Sequence, residues 1–298
     1  MSASREWIVS LSERHGRTTL ILLAAILALG FGLRAYRVVE PLATPGDDSR
    51  AYFALSKALY EEGSYGGPEF RDSSDWSPGA PLLYAGSFYA TGGAREGTAR
   101  IVELLCGLGS ILLVYLLGRR LGAAVGGGAM APPAGLLAAF AAAVYPPFIH
   151  STGALFSEPP AMLTLPAAVL AFLWASGPSG RRAGPVAGQG PSSSQAAGED
   201  PMPHATRARW LLPGFLFGLT ALIRPEYLLV GAAFAALAAV WAWRERGWRL
   251  GGSVGALFIA ALILPIVPWT VRNAVVLDRL VPISTGGGKR KDERHQDL

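Results

Sequence analysis

Long blocks of apolar residues constrain this chain more than any other feature. Seven of them, at residues 18–36, 99–118, 131–148, 159–175, 210–223, 227–243 and 250–270, run for 14 to 21 residues with few charges. A half-buried soluble helix carries an apolar stripe every three or four positions, whereas these blocks are apolar all round. A hydrocarbon core of about 30 Å needs about 20 such residues per helix. Lipid offers no partner for backbone N–H and C=O groups, so crossing segments of this kind are helices. The expected fold class is therefore all-α, a polytopic membrane protein with about seven transmembrane helices. A composition of 51% hydrophobic and 16% charged residues agrees.

The arginines set the expected orientation. Arg5, Arg14 and Arg17 precede the first block, which lacks an A-x-A cleavage site and reads as an anchor, with the N-terminus cytoplasmic. Seven crossings from that start put Arg119-Arg120, Arg181-Arg182 and the Arg244, Arg246, Arg249 cluster on the cytoplasmic side. The block at 210–223 spans only about 21 Å as a helix, and fusing it with the next block would reverse everything downstream. Pro225 instead opens a separate helix, where its missing N–H costs least. Residues 177–209 are rich in Gly, Pro, Ser and Ala and are expected to form a disordered cytoplasmic linker. Residues 289–298 form an atypical charged tail that reads as a truncated or frame-shifted end, so 1–288 is the expected module. The net charge of +5 lies at the ends of apolar blocks and on no single basic face, which argues against nucleic-acid binding. The single Cys106 excludes an intramolecular disulfide.

This topology gathers Asp47, Asp48, Glu158, Arg224, Glu226, Arg272 and Asn273 at the outer ends of the blocks. The first outer loop, 37–98, is long and acidic, and is expected to fold into short interfacial helices, one of them at 77–93. Each polar residue has a plain reading. "PGDD" suits a helix N-cap, Glu158 before two prolines opens a helix, Arg224 and Glu226 form a structural ion pair, and Arg272 anchors at the interface. Ionisable groups at membrane depth are costly, which makes them functional candidates as well.

Five segments in order resemble the GT-C superfamily of membrane glycosyltransferases, nearest to bacterial relatives of protein O-mannosyltransferases and aminoarabinose–lipid A transferases. They are "GDDSRAYFALSKALYEEGSYG", "WSPGAPLLYAG", "YPPFIHSTGALFSEPPAMLTLPAAVLAF", "GLTALIRPEYLLV" and "PWTVRNAVVLDRLVPISTGGG". The resemblance runs through nearly the whole chain to Gly288, with Ala80 where the family often has an aromatic residue. It implies a multi-pass cell-membrane enzyme that moves a sugar from a polyprenyl-phosphate-linked donor to a hydroxyl of a protein, lipid or glycan acceptor on the extracytoplasmic face. Inverting single displacement needs one base for the acceptor hydroxyl. The acid four residues before Tyr52 is Asp48, with Asp47 the alternate and Glu158 the candidate second acid. Guanidinium groups suit the phosphate, so Arg224, Arg272 and Arg50 are candidate binding residues alongside Tyr52 and Glu226. No metal or other cofactor is expected, since nothing in the spacing of Asp48, Glu158 and His150 requires one. The alternatives are a non-catalytic or truncated protein of the same fold and, less favoured, a transporter. A transporter predicts inverted repeats and mid-membrane polar groups.

Overall fold

The computed structural model describes residues 2–40, 47–66, 73–177 and 207–286. Most of the expected linker and the whole charged tail lie outside these residues. All regular structure among the described residues is helical: α1 (Ser2–Val39), α2 (Asp47–Glu61), α3 (Gly79–Thr91), α4 (Glu96–Val144), α5 (Pro146–His150), α6 (Glu158–Ala175), α7 (Leu211–Ile223), α8 (Tyr227–Arg246), α9 (Trp248–Ile263) and α10 (Val267–Leu277). A 3₁₀ turn occupies Ser73–Asp75.

Four stretches are long and apolar enough to cross a membrane: Gly16–Val39, Glu96–Val144, Glu158–Ala175 and Tyr227–Glu245. The bent pair α9 and α10, angled by 46°, makes a fifth. Large apolar side chains such as Leu20, Ile21 and Phe31 on α1 and Leu229 on α8 point away from the protein interior, as lipid-facing residues do. The chain is a helical membrane protein. The count differs from seven for two physical reasons. At 13 residues α7 is short, and α4 holds two of the expected blocks as two arms joined through a glycine break.

Extended straight, the 49 residues of α4 would reach about 74 Å. They do not, because Gly126 (φ −121°, ψ 15°) and Gly127 (φ 72°, ψ −171°) break the helical path. Gly127 takes a backbone conformation that side chains disfavour. The two arms then fold against each other, bringing Gly118 against Ala134 and Ala138, and Gly135 against Tyr115 and Arg119. Helix α1 packs on both arms, Leu23 with Ile111, Tyr115 and Ala139, and Gly30 beside Ile111 and Ala143. It therefore runs opposite to the first arm and alongside the second.

Helices α7 and α8 are separate and antiparallel, as Pro225 suggests. Gly214 and Gly218 of α7 meet Phe258 and Leu262 of α9 in parallel order. Gly231 of α8 meets Leu262, and its Ala239 lies against Gly251 and Gly255, in reverse order. Around them Phe172, Trp210, Phe217, Phe234 and Phe258 fill the larger core. The close approach of α7 and α9 depends on glycine. A Cβ on Gly218 would fall 2.2 Å from the Leu262 carbonyl oxygen. Gly218→Ala is thus expected to cost about 1–3 kcal/mol by overpacking, read as a lower unfolding temperature in detergent micelles. Gly252→Ala, with nothing within 4 Å of its Cβ position, should leave that temperature unchanged or slightly raised.

Chain direction thus alternates along the bundle. One end collects Arg119, Arg209 stacked on Trp174, and Arg249 stacked on Trp248. The other collects α2, α3, the start of α6, the α7–α8 turn and α10. At that second end two arginines close helix C-termini. Arg34, fully buried, donates to the carbonyls of Gly30, Ala142 and Ala143, and Arg100 donates to those of Val38 and Glu40. Orphan carbonyls at helix ends need such donors, and a cation suits the negative end of the helix dipole.

Candidate active site

Within the loop at 37–98, helices α2 and α3 form as expected and pack on each other, and α3 also packs on α4 and α7. Asp47 and Asp48 stand in the first turn of α2, where carboxylates favour the positive end of the dipole. The side chain of Asp47 is outside the described residues. Asp48 is exposed, and its Oδ1 accepts the indole N–H of Trp76 at 3.3 Å. Ser49 donates to the Ala154 carbonyl at 2.5 Å, so the start of α2 is tied to the loop that leads into α6.

On that loop Ser157 precedes Glu158, which opens α6 ahead of Pro159 and Pro160. Across from it, the chain leaves α7 at Arg224 in extended conformation and turns through Pro225 and Glu226 into α8. Arg224 joins the two elements. Its Nη1 lies 2.6 Å from Glu158 Oε1, and its Nε donates to Glu226 Oε1 at 2.6 Å. Burial pulls the guanidinium pKa down, but hydrogen bonds and charges from the two carboxylates more than reverse this and raise it. Burial likewise pushes Glu226 up, and Arg224 outweighs it, holding that carboxyl below its usual range.

Tyr52 is the meeting point. It is buried on α2, beside Ser157, and close enough to Asp48, Glu158 and Arg224 to feel all three charges. Burial first, then the carboxylates of Asp48 and Glu158, raise its pKa, so its hydroxyl keeps its proton at neutral pH. The structure therefore brings together Asp48, Tyr52, Glu158, Arg224 and Glu226 from three separate parts of the sequence.

A cleft of about 340 Å³ opens from this cluster between α4, α6 and the start of α8. On α6 its wall is Glu158, Ala161, Met162, Leu165, Pro166 and Val169, a single helical face. The face extends about 16 Å from the carboxylate, at 1.5 Å per residue. Val114 and Leu117 of α4 line the opposite side, and Arg224 stands with Glu158 as the charged lining. The arrangement is an apolar slot with an ion pair at its head.

Two expected residues stand elsewhere. Arg50 is exposed and pairs with none of the described acids. Arg272 of α10 lies over the rings of Tyr65 (5.5 Å) and Trp269 (5.2 Å) and donates to Asn273 Oδ1 and to the Tyr65 carbonyl. These contacts fasten the first loop to α10. The following segment is stitched in the same way. Trp269, Thr270 and Asn273 donate to the carbonyls of Ile283, Pro282 and Val281, and Thr285 reaches Ser74 and Asp75. Burial raises the Tyr65 pKa well above the usual phenol value, with Tyr52 adding and Arg272 opposing. Tyr65 thus sits between the Arg272 box and the Tyr52 cluster. His150 is exposed on α5, and among the described residues no three His, Cys, Asp or Glu groups converge on a metal position.

Sequence reasoning passed over Ser157, Trp76 and the fully buried Glu103 of α4. For Glu103 the signal was available, since a carboxylate inside an apolar block demands a partner. No family model, curated protein or solved structure matches the chain.

Proposed function

We propose that this protein is a membrane glycosyltransferase of GT-C type that takes its sugar from a polyprenyl-phosphate-linked donor. The observation that carries this reading is the apolar slot along α6 headed by Arg224 and Glu158, with Tyr52 and Asp48 beside it. A hydrocarbon chain suits the slot, and a lipid phosphate suits a guanidinium that stays charged. In this reading Arg224 stabilises the phosphate as it leaves, and Tyr52 offers it a protonated hydroxyl. Asp48 takes the proton of the acceptor hydroxyl, whose oxygen bonds to the anomeric carbon on the face opposite the phosphate. The carbon–oxygen bond to phosphate breaks with its electron pair going to the phosphate. Glu158 orients Arg224 and the acceptor.

In this reading the two arms of α4 count separately and α7 is a short crossing, which makes seven spans, and the positive-inside rule favours the Arg-rich end in the cytoplasm and the slot's charged head outside. Cysteines placed at Glu62 and Arg120, both exposed, should react with an impermeant maleimide from opposite sides of sealed vesicles. Labelling of both from one side overturns this topology. The function is tested with purified protein in membranes given tritiated polyprenyl-phosphate sugars, mannose and aminoarabinose among them. Transfer that depends on Asp48 and Arg224 supports the reading, and absence of transfer from every donor in wild-type protein defeats it.

A further inference from the structure

The loop between α5 and α6 carries both halves of the cluster. Glu158 and Ser157 stand at its end, and Ser49, next to Asp48, donates to the carbonyl of its Ala154. Ser151 and Thr152 bond back to the carbonyls of Pro147 and Ile149, and beyond them Leu155 adopts a positive φ of 57°, unusual for a side-chain-bearing residue. The loop's backbone N–H groups here converge on one carboxylate from below. Glu103 Oε2 accepts from Gly153 N at 2.7 Å and Leu155 N at 3.1 Å, while Oε1 accepts from Phe156 N at 2.7 Å and from the Tyr84 hydroxyl at 2.8 Å. Tyr84 Oη also lies 2.7 Å from the Phe156 carbonyl oxygen. Glu103 is fully buried, and its four described partners satisfy the acceptor capacity of a carboxylate.

We infer that Glu103 is a positioning residue: by clamping residues 153–156 it fixes the placement of Glu158 and Arg224 relative to Asp48. This rests on the transferase reading for its kinetic consequence, but not for its geometric one. A carboxylate is the only side chain whose two heads both accept. In Glu103→Gln the amide group, whichever way it is turned, sets an N–H against a loop N–H. Glu103→Asp keeps two accepting oxygens but withdraws them by one methylene. Tyr84→Phe removes one bond and leaves the three loop amides held.

The test uses the full chain in lipid nanodiscs, with amide hydrogen exchange and, in parallel, transfer from the donor that wild type consumes, beginning with undecaprenyl-phosphate mannose. In Glu103→Gln, exchange at 153–156 should quicken about 10- to 100-fold, the range expected for hydrogen bonds to a charged acceptor. Exchange in the second turn of α2, at 51–54, should quicken with it, through Ser49, while α9 stays as in wild type. kcat should fall about 100-fold, the cost of a displacement near 1 Å at a reacting centre, with the donor KM within about twofold. Glu103→Asp should recover part of both effects, and Tyr84→Phe should show about a tenth of them. A loosened loop with α2 exchange and kcat as in wild type reduces Glu103 to local packing and overturns the inference. If Glu103→Gln fails to fold, Glu103→Asp and Tyr84→Phe decide on the same two measurements. If wild type consumes no donor, the transferase reading fails by itself, and the α2 exchange alone decides for or against the clamp.

Discussion

Replacing Arg224 by alanine is expected to reduce sugar transfer about 10²- to 10³-fold, the usual loss when one preorganised donor to a developing anion is removed. The same change should weaken binding of undecaprenyl phosphate, measured in detergent with the tritiated lipid. Two carboxylates make this residue distinctive. In the structure Nη1 is held by Glu158 and Nε by Glu226, so a lipid phosphate bound there would compete with Glu158 for one edge of the guanidinium. Two further results follow. Arg224→Lys keeps the charge but not the planar fork, so it should retain lipid binding better than alanine while transfer stays at least about tenfold down. Glu158→Gln removes the competitor, so lipid phosphate should bind more tightly even as turnover falls. Opposite signs for Arg224→Ala and Glu158→Gln in binding distinguish a phosphate site from a plain structural pair. A structural pair predicts that either change lowers stability and that lipid binding follows stability in both.

The convergence of Glu158, Arg224 and Glu226 was legible because it depends only on counting apolar blocks and watching where the arginines fall. The physics of the bilayer does most of that work: a helix that crosses must start at one face and end at the other. The "IRPE" break was legible for a related reason, since a proline with no N–H starts a helix more easily than it continues one. The turn inside α4 had its signal in the three consecutive glycines 126–128. Arg272 was read as a phosphate ligand because its charge and position fit, whereas its described contacts are with Tyr65, Trp269 and Asn273. The Tyr65 contact is tertiary, made across 207 positions, and no local pattern encodes it. Glu103 and Arg34 illustrate the opposite failure. Arg34 is the one charge in its apolar block and Glu103 one of two, with Arg100, so averaging over the block hides them, although burial makes such charges the residues there that most need explanation.

Asp48→Asn is expected to lower transfer about 10²- to 10⁴-fold, the range for removing a positioned base, while binding of undecaprenyl phosphate stays within about threefold of wild type. The substitution is conservative in every other respect. Its carbonyl oxygen can still accept the Trp76 indole N–H, and the residue remains in the first turn of α2. If Asp48 only favours the helix dipole, the substitution costs about 0.3–1 kcal/mol of stability and leaves the transfer rate of the folded protein unchanged. Asp47→Asn makes the same electrostatic change one residue away, at a different angle around the helix, so it serves as the matched control with transfer near wild type. A full loss in Asp47→Asn with none in Asp48→Asn would move the base by one residue and leave the slot and Arg224 in their roles. Loss in neither would take the catalytic carboxylate away from α2 altogether and leave Glu158 as the acid nearest the phosphate. Single-turnover measurements with donor already bound separate these outcomes, because they report the proton-transfer step without contribution from donor capture.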